Sequence, residues 1–385
     1  MGLGFLRLLF AASVICAHGG GILGYDFTTA RAAVQGFFML SGFLMQLVLT
    51  EKYDPRSELM LFYSNRALRI YPIYFLAMFV AIVVAVFVYP YSMGFLYNLH
   101  EVLSGINPLE WIRFVLTSLF IFGEDAYVYE RVSAAGLQFT AGGVGNAAET
   151  YIIDPPAWSI SLELTFYLLA PFLARLTTRW LVLVLIFSFA LRVGGWSIGL
   201  DYDPWTYRFF PFEILLFGAG MLSYRCGASI VAALGPRFLR WIFPISLAGG
   251  VALHLAVLAA DRVHLPEEVI YLGFYCFLFV ALPGLFYRAK GSKLDSRLGS
   301  FSYPVYLLHW PVLLIYNACF GAAQNIYGGT VRTIICCLVV FLLSYAVIVL
   351  VERPIEKMRH RRVRHSSPDS TAIGATGMVV SSPVP

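Results

Sequence analysis

Arg7 and His18 stand eleven residues apart in the first apolar segment of the chain. Ionisable side chains at bilayer depth are costly and usually line a path or do chemistry. From a cytoplasmic start, a rise of ~1.5 Å per residue carries His18 about 20 Å up, into the outer half of the membrane. An imidazole there takes up and returns a proton near neutral pH and can activate a hydroxyl nucleophile. Taken alone, the histidine is more simply a polar residue bonded to a neighbouring helix, or one sitting at the interface beside Gly19, Gly20 and Gly21.

Further along, Arg66 and Arg69 lie three apart in Tyr63-Ser64-Asn65-Arg66-Ala67-Leu68-Arg69-Ile70-Tyr71-Pro72, on one face of a helix entering from the cytoplasm. Two guanidinium forks on one face suit phosphate oxygens, and ordinary anchoring to lipid headgroups explains them equally well. Anchoring is a poorer account of Arg7, which lies inside a span. Glu163 sits about five residues into a later segment, flanked by Trp158, Phe166 and Tyr167, and needs a cationic or hydroxyl partner there. His309 is a further buried polar candidate, whereas Arg192 and Glu213 read best as a structural ion pair.

The elements that must position these groups are membrane helices. With 59% hydrophobic and 13% charged residues and mean hydropathy +0.75, the chain lies outside the range of soluble domains. Apolar runs predict an all-α polytopic bundle of about ten transmembrane helices, near 3–23, 32–50, 69–90, 158–174, 180–198, 207–224, 239–260, 268–287, 302–320 and 331–351. The six cysteines show no metal-type spacing and read as packing residues; no metal is expected.

Placing both termini in the cytoplasm puts nineteen Lys and Arg on the inner side and six on the outer, as the positive-inside rule requires. The same distribution argues against nucleic-acid binding. An apolar piece at 109–123 is too short for an ordinary span, so 91–157 reads as one long external loop with an interfacial or re-entrant helix. The membrane domain then covers 1–354 and a basic, then disordered, cytoplasmic tail covers 355–385, with 365–385 rich in Ser, Pro, Gly and Thr. Signal-peptide cleavage after Ala17 is disfavoured by Ile15, which stands where a small residue is needed.

In this order, the motifs resemble the acyltransferase-3 family of integral-membrane acyltransferases over nearly the whole chain. The family's Arg and His of the first span look like Arg7 and His18. Its Phe-Phe-x-x-Ser-Gly-Phe is similar to Phe37 through Phe43, its Arg-x-x-Arg-Ile-x-Pro to Arg66 through Pro72, and its Trp-Ser-Leu-x-x-Glu to Trp158 through Glu163. Ser302 through His309 and Glu352-Arg353-Pro354 complete the set. Two positions depart from it: family members often carry an acid just before the first Arg and another before the Phe-Phe pair, where this chain has Gly4-Phe5-Leu6 and Val34-Gln35-Gly36. An acid that orients the histidine would then have to come from elsewhere. The likeness is to the membrane-only form, with no fused hydrolase-like domain expected.

The resemblance implies transfer of an acyl group, most often acetyl, from acyl-CoA to a hydroxyl of a cell-envelope or secreted carbohydrate, in a bacterial inner membrane. It implies His18 and Glu163 in catalysis and Arg66, Arg69 and Arg7 on the phosphates of acetyl-CoA. Trp158, Tyr167 and His309 are left for the carbohydrate. A transporter or flippase with buried His, Glu and Arg is the alternative on physical grounds alone. Inverted repeats, which would favour transport, are not seen in the sequence.

Overall fold

A computed structural model of the chain describes residues 1–53, 58–87, 107–133, 136–140, 152–263, 266–321, 323 and 325–366. Each of the ten apolar runs is a helix, and together they form an all-α polytopic membrane bundle. The helices are α1 (Leu3–Gly19), α2 (Ala30–Glu51), α3 (Leu59–Phe87), and, after an external helix α4 (Pro108–Phe120), α5 (Ala157–Arg175). They continue as α6 (Thr178–Ser197), α7 (Phe210–Arg225), α8 (Gly227–Val263), α9 (Glu267–Ala289), α10 (Lys293–Phe320) and α11 (Ile326–Val347). Among the described residues eight helices are long and apolar enough to cross a bilayer; α1 and α7 are shorter, at 17 and 16 residues.

Several helices begin well before their apolar run. Helix α3 starts ten residues ahead of position 69 and α10 nine ahead of 302, because hydropathy marks the apolar stretch and not where the backbone begins to coil. Arg66 is thereby a buried residue within α3. Helices α2, α5 and α10 are largely buried, while α6, α8 and α11 turn apolar side chains such as Phe187, Leu258 and Leu342 outward to lipid.

Close backbone approach holds the centre. A Cβ at Gly42 of α2 would strike the carbonyl oxygen of Phe217 on α7, and one at Gly220 of α7 would strike that of Met39 on α2. The two helices meet through this pair of glycines. On one side of them, Arg192 of α6 pairs with Glu213 of α7 at 2.6 Å, as read from the sequence, and Gln35 of α2 donates to Glu213 at 2.9 Å. Arg192 also donates to the carbonyls of Thr206 and Phe212, and a buried, hydrogen-bonded ion pair of this kind fixes register more than it adds stability.

Outside the bundle, α4 opens with a reciprocal cap between Asn107 and Glu110 and leaves Leu109, Ile112, Leu116 and Phe120 exposed. A 3₁₀ turn (Glu124–Tyr129) and a hairpin of β1 (Glu130–Ser133) and β2 (Gly136–Phe139) follow. Ser161 of α5 ties this segment down, accepting from the Gly123 amide at 3.0 Å and donating to Asp125 at 2.6 Å. Of the expected external loop, 91–106, 134–135 and 141–151 lie outside the described residues, as do 88–90 of the third apolar run and the tail beyond 366. The basic start of the tail is helical: one wide turn at Ile348–Glu352 leads α11 into α12 (Arg353–Ser366).

Candidate functional site

Two cavities lie inside the bundle, and the sequence candidates divide between them. Arg7 of α1, Arg66 and Arg69 of α3, and Glu163 and Tyr167 of α5 line the first, together with Ser41 of α2. Among the described residues none of the three arginines is ion-paired. Arg66 meets only the Met45 sulfur, at 4.0 Å, and the rings of Phe62 and Tyr167, and its Nε is buried without a hydrogen bond. Three guanidiniums gathered with a single carboxylate, Glu163, and ion-paired to none leave the cavity net positive and form a receptor for an anion with several oxygens.

Glu163 belongs to this arginine cavity. The Ser41 and Tyr167 hydroxyls both donate to its Oε1, so the carboxylate is held in place by α2 and by its own helix. Glu163 and His18, both implied in catalysis by the resemblance, line different cavities. Tyr167, expected at the carbohydrate, likewise sits with the arginines.

His18 faces the second cavity, of about 730 Å³, with Trp158, Tyr207, Arg208, His309 and Trp310. Helix α1 ends there because Gly20 takes the left-handed conformation, φ 96°, and its amide donates back to Cys16 at 3.0 Å. Arg332 of α11 donates to the Gly19 carbonyl at 2.8 Å, which pins this turn and leaves His18 exposed towards the cavity. His309, fully buried on α10, stacks on it with ring centroids 5.4 Å apart, and Trp310 meets its edge at 5.5 Å. The His309 Nδ1 lies against the Tyr306 carbonyl oxygen. A carbonyl only accepts, so the proton is on Nδ1; Nε2 is buried without a partner. Trp158 carries Arg208 over its face at 4.5 Å.

Val34 of α2 and Tyr306 of α10 line both cavities. These two side chains form a septum common to the arginine and histidine cavities, and Ser159 hydrogen-bonds the Tyr306 hydroxyl at 2.7 Å. Sequence reasoning passed over Ser41 and Tyr306, which stand inside the quoted motifs, and counted Arg208 only as an outer-side cation. An intervening apolar helix turn masks each pairing, since the partners come from different helices.

The Gln35 departure also has a structural answer. Its amide is spent on Glu213 and its carbonyl accepts from Tyr275, so this position serves the structural ion pair and not His18.

The chain is 26% identical over 264 residues to nodulation protein 10 of Rhizobium leguminosarum, covering 66% of this chain and 64% of that protein. It is 23% identical over 383 residues to the peptidoglycan O-acetyltransferase OatA of Listeria monocytogenes, covering 91% and 55% respectively. With the exopolysaccharide production protein ExoZ of Rhizobium meliloti it shares 28% over 356 residues, covering 90% and 96%. The chain thus spans less than two thirds of the length of the first two relatives. No solved structure matches it. The acyltransferase domain matches residues 2–349, nearly the whole bundle from the turn before Arg7 to the wide turn after α11, and the chain belongs to the acyltransferase-3 family.

Proposed function

We propose that the protein is an O-acyltransferase that moves an acyl group, most simply acetyl, from acyl-CoA bound on the cytoplasmic side to a hydroxyl of an envelope or secreted carbohydrate on the other. The observation that carries this reading is the pair of adjoining cavities, one with three unpaired guanidiniums and the other with His18. Arg7 and His18 are eleven residues apart on one helix, about 16 Å along its axis, a span comparable to an extended pantetheine arm. The phosphates rest among Arg7, Arg66 and Arg69, and the thioester passes the septum at Val34 and Tyr306 towards His18.

In the reaction, His18 takes the proton of the acceptor hydroxyl as its oxygen bonds to the thioester carbonyl carbon. Collapse breaks the carbon–sulfur bond, and the imidazolium returns the proton to the departing thiolate, giving ester and free thiol. A variant route passes the acyl group through the imidazole itself. Arg208 and Trp158 border the acceptor space, with His309 behind His18. Glu163 orders the donor cavity through Ser41 and Tyr167.

The start of α1 and the helix α12 fall at one end of the bundle, since Leu3, Gly4 and Arg7 share a space with Arg353 and Arg359. Placing that end in the cytoplasm rests on the charge imbalance, and a bacterial inner membrane rests on the family resemblance. Family membership favours the enzyme over the transporter. The test compares O-acetyl content of envelope polysaccharides from cells lacking the chain and from cells restored with it intact or as His18→Ala. Restoration by the intact chain but not by a well-expressed His18→Ala is expected; unchanged acylation throughout would remove the carbohydrate reading.

A further inference from the structure

The arginine cavity opens into a third space that the donor reading leaves unused. Arg7, Arg69 and Leu44 line both, and beyond them the wider space is bordered by Arg297 of α10 and by Arg353 and Arg359 of α12. Helix α12 packs against α3, the helix that carries Arg66 and Arg69. The wide turn at Ile348–Glu352 breaks the run of α11 just before it, and such turns redirect a helix at functional positions. Two acids on this wall, Glu352 and Glu356, and Asp295 also border the space. Asp295 is already engaged, accepting from the amides of Gly2 at 2.6 Å and Gly4 at 2.8 Å.

Among the described residues no carboxylate lies within ion-pair distance of Arg353 or Arg359. The Arg359 Nε is buried and has no hydrogen-bond partner. A guanidinium brought near two others of its kind, partly out of water and unpaired, is unfavourable until an anion arrives. Coenzyme A has two separate anionic groups, a diphosphate next to the pantetheine and a phosphate on the 3′ carbon of the ribose. The single row of Arg7, Arg66 and Arg69 serves the first, and the second then falls outward, on the side where α12 stands.

We propose that the mouth between α1, α10 and α12 is a nucleotide-phosphate subsite, in which Arg359, with Arg353 at its rim, holds the ribose 3′-phosphate of the acyl-CoA. This deepens the donor reading above and rests on it. The tail helix thereby becomes part of the donor site, and the enzyme distinguishes CoA thioesters from thioesters that lack the 3′-phosphate.

The test uses the full chain in phosphatidylcholine nanodiscs, so that no anionic headgroup competes, and measures binding of acetyl-CoA and of 3′-dephospho-acetyl-CoA to the intact protein, Arg359→Gln and Arg359→Lys. The intact protein should bind acetyl-CoA roughly tenfold to a hundredfold more tightly than the dephospho form, the range of one charge-assisted contact. Arg359→Gln should lose that preference while binding dephospho-acetyl-CoA as before, which also reports that it is folded; Arg359→Lys should keep part of it. Unchanged discrimination in Arg359→Gln overturns the subsite while leaving the donor reading intact. Failure of the intact protein to bind either thioester overturns the donor reading itself. Retention of phosphatidylglycerol is read in parallel: its loss in Arg359→Gln with discrimination unchanged assigns the phosphate contact to lipid and overturns the nucleotide.

Discussion

The rings of His18 and His309 lie nearly parallel, 28° apart, at a centroid distance of 5.4 Å, with the first exposed to the outer cavity and the second fully buried behind it. The exposed ring is the one a substrate can reach. His18→Ala is therefore expected to reduce kcat by about 10²- to 10⁴-fold, the usual loss for a general base, with donor binding retained. His309→Ala should reduce kcat less, and His309→Phe, which restores a stacking face, should recover part of that loss. Equal activity in His309→Ala and His309→Phe would assign the effect to the Nε2 lone pair and remove stacking from the account. Steady-state kinetics on the purified protein decides it.

On the donor side the effects should fall on KM. Arg66→Gln removes one unpaired guanidinium from the arginine cavity and is expected to raise the KM for acetyl-CoA by roughly tenfold, the worth of one charged hydrogen bond. The acceptor KM should be unchanged. Glu163→Gln loses a charged acceptor for Ser41 and Tyr167, and because it lines the arginine cavity its effect should also appear in the donor KM. A Glu163→Gln enzyme with normal donor KM and a displaced acceptor KM would return Glu163 to the neighbourhood of His18.

The split of these predictions between two cavities was only half legible in the sequence. Apolar runs marked all ten bundle helices, since burial in lipid demands them, and the Arg192–Glu213 pair followed from two charges with nowhere else to go. Arg7, Arg66 and Arg69 converge as their shared membrane level implied. The membership of Glu163 did not follow, because depth in a span fixes height and says nothing about which side of the helix faces which neighbour. Glu163 and Ser159 lie four residues apart on α5, yet the first closes on Ser41 and the second on Tyr306. Arg359 was hidden for a different reason: in a basic tail its charge is one of five, and only folding of α12 onto α3 singles it out.

The external segment predicts a pH dependence of stability. Asp154, just before α5, is buried with neither carboxylate oxygen hydrogen-bonded, and burial pushes it well above the usual carboxylate range. Glu124, beside Tyr74, is also raised by burial, which outweighs the downward effect of the Tyr74 hydroxyl; the Asp154 and Asp125 charges add to the rise. The folded protein keeps these protons at a pH where the unfolded chain releases them. Their stabilisation is thus complete below about pH 4 and is lost as pH rises through the folded-state values. The unfolding temperature in detergent should fall as pH rises above about 4, the ordinary carboxylate value, and Asp154→Asn, which has no proton to lose, should flatten the fall. Parallel profiles for the two proteins would show that Asp154 is not the group responsible.

Gly42 of α2 and Gly220 of α7 make the tightest helix contact around the donor cavity, and each is closed to a side chain by backbone. A Cβ at Gly42 meets the Phe217 carbonyl, and one at Gly220 meets the Met39 carbonyl and, at 2.8 Å, the Phe43 amide nitrogen. Backbone atoms cannot swing aside as a side-chain end does, so either substitution must push the helices apart. Overpacking of this kind costs about 1–3 kcal/mol. Spreading α2 from α7 also moves Ser41, adjacent to Gly42, away from Glu163. Gly42→Ala is therefore expected to lower the unfolding temperature and raise the donor KM together, whereas Gly194→Ala on α6, where a Cβ meets nothing within 4 Å, should change neither. The pair of variants, scanned by tryptophan fluorescence and assayed side by side, measures how far the donor cavity depends on this contact; a Gly42→Ala protein as stable and as active as the Gly194→Ala control would mean that α2 and α7 are not held at this distance.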